Sequence, residues 1–107
     1  MQTELLTKRT KIISNQSMFL IRVNGNSMIN AGIHSGDFIL VDKKGYWGTN
    51  SIVIAEVNGK WTVKKIIIED SEIYLQPENP MFPPIHIKND DDFKVIGTVV
   101  KVIKSFN

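Results

Sequence analysis

The sequence predicts an all-β domain of barrel or sandwich character. Three observations carry this. Short runs rich in Val, Ile, Thr and aromatic residues recur at strand length. Turn signals built from Gly, Asn, Asp and Pro separate them. No stretch of the body reads as a helix, and the chain holds no internal repeat or low-complexity tract.

The elements follow in order. Residues 1–17 read as a flexible arm, with a basic cluster at Lys8, Arg9 and Lys11 and a polar end at Ser14, Asn15, Gln16 and Ser17. Terminal segments of this kind are loosely held unless something docks them. The domain proper is expected over residues 18–107. Its first strand is the apolar run 18–23, stopped abruptly by Asn24-Gly25-Asn26. Residues 31–37 carry two turn signals, and 38–41 is a β-rich run. Residues 43–50 form a loop whose Tyr46 and Trp47 are expected to lie over the edge of the core. Residues 51–57 and 61–68 read as a hairpin around Asn58-Gly59, the strongest short hairpin signal. Another short strand is expected at 71–75. Pro77, Pro80, Pro83 and Pro84 then mark an irregular connection, because proline has no N–H for a ladder. Residues 85–87 are brief and extended, 89–92 form an acidic turn, and 93–103 close the domain with a bend at Gly97.

Composition narrows the function classes. A length of 107 residues suits one domain, since single domains peak at roughly 100–150 residues. An apolar content of 42% is enough for a packed core. No apolar run reaches the ~18–20 residues a membrane-spanning helix needs, so no membrane partner is expected. With no cysteine there is no disulfide, Cys nucleophile or thiolate ligand, which fits a reducing, cytoplasmic setting. A net charge of +2 gives no strong signal for direct DNA binding. His34 and His86 lie far apart and outside any metal-ligand spacing, and the acidic turn lacks further ligands, so no metal or other cofactor is expected.

The chemistry concentrates at Gly25-Asn26-Ser27-Met28. A serine on a tight turn at a strand end has its hydroxyl pushed clear of the sheet, with backbone N–H groups beside it. An ordinary hairpin turn with a solvated serine reads the same way. A nucleophilic serine needs a base, and neither histidine stands in a suitable context. Lysine is the known substitute, and it acts only when burial keeps it uncharged. The strand at 61–68 supplies Lys64 and Lys65 on opposite faces. Both faces are apolar, so alternation does not choose between them.

These residues carry a resemblance. Gly25-Asn26-Ser27-Met28, Gly32-Ile33-His34-Ser35-Gly36-Asp37, Thr62-Val63-Lys64-Lys65, Pro77-Glu78-Asn79-Pro80 and Ile96-Gly97-Thr98-Val99 occur in one order. The chain resembles the catalytic domain of the LexA/UmuD family of self-cleaving serine peptidases over nearly its whole length. The resemblance implies a compact, strongly curved antiparallel fold, like that of bacterial signal peptidases. It implies a Ser–Lys dyad of Ser27 as nucleophile and Lys64 as general base, with backbone N–H groups of Asn26 and Ser27 as the oxyanion site. Lys65 matches a second basic position without a catalytic role, and the Gly36-Asp37 turn reads as structural, with Asp37 holding the loop under the nucleophile rather than doing chemistry. Lys64-Lys65 after Thr-Val, Met28-Ile29 and Leu40-Val41-Asp42 lean toward UmuD within the family.

A UmuD-like chain implies the SOS response and error-prone translesion synthesis. Its partners would be a second copy in a homodimer, the RecA–DNA filament and a UmuC-like polymerase. No helix-turn-helix pattern precedes the catalytic part in this sequence. Family members cut their own chain at Ala-Gly or Cys-Gly ahead of the nucleophile. Residues 1–19 contain no glycine, and the one Ala-Gly, Ala31-Gly32, follows Ser27. The sequence therefore points to a processed or non-self-cleaving form. The alternatives are a non-catalytic module binding a translesion polymerase, or the dimerisation domain of a phage-type repressor.

Overall fold

The structure, a computed structural model, describes residues 5–6 and 17–104. All strands pair antiparallel: β1 (Leu5–Leu6), β2 (Met18–Asn24), β3 (Phe38–Asp42), β4 (Ile52–Val57), β5 (Lys60–Glu69), β6 (Glu72–Gln76), β7 (Ile85–Ile87) and β8 (Phe93–Ile103). Their order in space is β1-β2-β3-β8-β4-β5-β6-β7. The expected all-β class holds. One short 3-10 turn, Ile29–Ala31, was not legible in the sequence. Of the expected arm, Leu5–Leu6 pair with Asn24 and Val23 on β2; the basic cluster lies outside the described residues.

The last strand in sequence is central in space. β8 pairs with β3 on one side and β4 on the other. Register shifts opposite Leu40/Val41 and opposite Ile54/Ala55 mark bulges on β8, whose extra residues are Val100 and Ile96. Bulges bend a strand and raise its twist. Gly97 lies between them for a packing reason. A Cβ there would stand 2.7 Å from Val41 Cγ1 and 2.8 Å from the Asp42 carbonyl oxygen. Only a residue without a side chain lets β3 cross β8 so closely.

The bending buries both faces of the central strands. One apolar cluster joins Phe19, Ile21, Val23, Met28, Ile33, Ile39, Val41, Ile54 and Val63. A second joins Val53, Ala55, Ile66 and Leu75. Along β4, Val53 and Ala55 serve one cluster and Ile54 the other, as period-two alternation requires.

Two sequence expectations need correction. The strand expected from residue 71 starts at Glu72, because Asp70 and Ser71 take positive φ (52° and 65°) as the turn between β5 and β6. Tyr46 does not cover the core: it is 90% exposed, and its loop is held through backbone carbonyls of Gly45 and Tyr46 that accept from Thr98 Oγ1.

Candidate active site

In a flat sheet, the four strand spacings between β2 and β5 would hold those strands roughly 19 Å apart. The curl brings them together. Lys64 Nζ on β5 lies 2.9 Å from Ser27 Oγ, just beyond the end of β2. Ser27 has no exposed surface and Lys64 is 4% exposed. The lysine stem runs on the face of Val53, its antiparallel partner, and of Ile66, two residues on. Burial there disfavours an ammonium over a neutral amine, because the charged form loses most by leaving water.

Thr62 is the second partner. Its Oγ1 accepts from Lys64 Nζ at 2.6 Å. Thr62 precedes Lys64 by two residues, so both side chains leave β5 on one face. The sequence names Thr62 in the shared motif and gives it no role. The spacing itself was the available signal.

The turn that carries Ser27 is built by its neighbours. Gly25 takes φ 130°, a conformation L side chains rarely adopt, and this lets the chain leave β2 sharply. Its N–H donates to Ser35 Oγ at 3.2 Å, and the Ser35 N–H donates to Asn26 Oδ1 at 3.0 Å. Met28 is fully buried in the first core cluster. Its carbonyl accepts from the N–H groups of Ala31 and Ile33. The turn is thus pinned on the core side by Met28 and on the loop side by residues 35–37, where the Gly36 N–H reaches the Val23 carbonyl.

Asp37 holds that loop, as expected. Its Oδ2 accepts from the His34 N–H at 2.8 Å and from Lys104 Nζ at 2.6 Å. Lys104 also donates to the Gly32 carbonyl, and it lies 3.0 Å from His34 Nδ1. His86 stacks on Tyr74 and lies 2.6 Å from Glu72. Among the described residues no cluster of His, Cys, Asp and Glu could hold a metal ion.

The structure separates the two lysines that alternation left open. Lys65 leaves β5 on the other face, partly exposed, and pairs with Glu78 at 3.2 Å. Lys64 alone turns to Ser27. The segment after β6 completes the surroundings. The Glu78 N–H donates to the Ser27 carbonyl at 2.8 Å, and Asn79 Nδ2 donates to the Asn26 carbonyl at 2.8 Å. The sequence marks this segment as a proline-rich connection and as one of the shared motifs but gives Glu78 and Asn79 no role, since no local pattern reports a partner 53 residues away.

The model of the Peptidase S24-like family matches residues 2–100. The LexA repressor of Clostridioides difficile is 40% identical over 94 residues, covering 87% of this chain and 44% of that repressor. That of Caldicellulosiruptor saccharolyticus is 36% identical over 101 residues, covering 94% of this chain and 48% of the repressor. That of Oleidesulfovibrio alaskensis is 37% identical over 89 residues, covering 83% and 43%. The chain spans less than half the length of these relatives. All three are LexA repressors, so the lean toward UmuD is corrected: the likeness shown is to LexA. With a family match over nearly its full length, the chain belongs to the Peptidase S24-like family.

Proposed function

We propose that this domain is a LexA-type serine peptidase in which Ser27 is the nucleophile and Lys64 the general base. One observation carries the reading: a buried amine and a buried hydroxyl lie 2.9 Å apart, at ends of the chain's fold that only the curl unites. Neutral Lys64 takes the Ser27 proton as Oγ attacks a peptide carbonyl. The oxyanion falls to backbone N–H groups of Asn26 and Ser27. Collapse of the tetrahedral intermediate breaks the C–N bond, and Lys64 returns its proton to the leaving amine. Water, deprotonated by Lys64, then releases the acyl group from Ser27. The residues need no cofactor for any of these steps.

In the cell the reading implies proteolysis within the SOS response, in a homodimer acting with the RecA–DNA filament. The test is cleavage of a polypeptide carrying an Ala-Gly or Cys-Gly segment. Below the titration of Lys64, the rate should rise about tenfold per pH unit, because only the neutral amine is a base. It should vanish in Ser27→Ala and Lys64→Ala. Absence of any cut between pH 7 and 10 removes the catalytic claim.

A second reading has its own observation. Ala31-Gly32, the one Ala-Gly bond of the sequence, closes the 3-10 turn within the folded body. On this reading the domain is a binding module, a UmuD-like accessory subunit of a translesion polymerase or the dimerisation part of a repressor. Co-elution with a UmuC-like polymerase that persists in Ser27→Ala supports it, and failure to bind counts against it.

A further inference from the structure

The segment Glu78–Asn79 grips the nucleophile turn at two successive carbonyls. Asn79 Nδ2 donates to the Asn26 carbonyl at 2.8 Å, and the Glu78 N–H donates to the Ser27 carbonyl at 2.8 Å. The contact is reciprocal, because the Glu78 carbonyl accepts from the Asn30 N–H at 2.8 Å. Asn79 is itself buried, at 8% exposure, and its Oδ1 accepts from the Met81 N–H at 2.9 Å. Both ends of its amide are therefore fixed, which sets which atom faces Asn26.

In a trans peptide the N–H points opposite to the C=O of the same unit, and the described chain contains no cis bond. The unit joining Asn26 to Ser27 has its carbonyl drawn toward Asn79. Its other end, the Ser27 N–H, is therefore turned away from Asn79. The same segment is tied to the base strand: Gln76 pairs with Lys65, and Lys65 Nζ reaches Glu78 Oε2 at 3.2 Å. One short stretch thus references the serine's peptide plane to the strand that carries Lys64.

We propose that Asn79 is a positioning residue for the reaction: its side-chain amide aims the Ser27 N–H as an oxyanion donor, and Glu78 sets the segment's place against β5. This rests on the reading of Ser27 as nucleophile. Asn79 touches neither Oγ nor Nζ in this account, so its loss should lower the rate without moving the titration of the base.

The test uses the whole chain and N79D, which keeps an acceptor for the Met81 N–H and removes the donor to Asn26. A fluorophosphonate probe reports the reactivity of Ser27 across pH. Amide hydrogen exchange reports the Ser27 N–H. The expected result in N79D is a plateau labelling rate about tenfold lower, less than the hundredfold or more for deleting an oxyanion donor, with the pH midpoint unchanged. An unchanged plateau, or a loss explained wholly by a shifted midpoint, overturns the proposal. If the wild-type chain labels at no pH, the peptidase reading fails, and exchange decides the placement alone. A Ser27 amide exchanging about tenfold faster in N79D supports it, and equal rates overturn it. Should N79D not fold, N79A carries the same two readouts.

Discussion

At Lys64 two hydroxyls share one amine. Thr62 Oγ1 lies closer to Nζ than Ser27 Oγ does, at 2.6 Å against 2.9 Å. An acceptor at that distance favours the ammonium form and fixes where the remaining nitrogen valences point. Thr62→Val keeps the volume and removes the acceptor. The plateau rate of cleavage should fall about tenfold as the amine loses its orientation, within the range that general-base positioning commands. The midpoint of the pH profile should move to lower pH, because the charged form has lost a partner. A pH–rate series on the variant checks both, and a midpoint moving upward contradicts the assignment. At this scale Ser27 and the pair Lys64-Lys65 were legible, because a glycine turn and lysines within an apolar strand are local signals. The choice between the lysines was not legible from pattern alone. It depends on Glu78 meeting Lys65 on one face of β5 and Ser27 meeting Lys64 on the other, and both partners are distant in sequence.

Among the elements, β8 carries the tightest constraint. The atoms a Cβ at Gly97 would meet include the Asp42 carbonyl, a backbone group that cannot swing aside. Gly97→Ala should therefore cost about 1–3 kcal/mol, the usual range for overpacking. Urea denaturation measures it, and a neutral result would mean β3 and β8 can separate freely. The turn before β8 makes a different prediction. Asp91 accepts from Asn58 Nδ2 at 3.0 Å and from the Lys88 N–H at 2.8 Å. The Asn58 amide first, and the Lys88 backbone second, hold its carboxyl below the ordinary 3.8. The folded state thus favours the carboxylate, so its contribution is complete above that ordinary value and fades as pH drops through the lowered one. Wild type should exceed Asp91→Asn in urea midpoint near pH 6, and the gap should close near pH 2. The sequence marked 89–92 only as an acidic turn; its docking on Asn58 was hidden because the hairpin tip it meets lies 33 residues before Asp91.

For the molecule as a whole, the seven strands from β2 to β8 were readable because each is a short β-rich run between turn residues. Their arrangement was not. Period-two alternation tells which residues share a face, but β4 and β5 bury both faces, and that erases the polar side that would have shown the curl. The curl itself depends on the two bulges and on Gly97, of which only the glycine left a mark in the sequence. β8 is what connects the half that leads to Ser27, β2 and β3, to the half that carries Lys64, β4 to β6. During synthesis the ribosome must deliver residues up to 103 before that bridge can close. Pairings so distant along the chain form slowly. A nascent polypeptide therefore emerges with its serine and its lysine still strangers, and their meeting is a late event of folding.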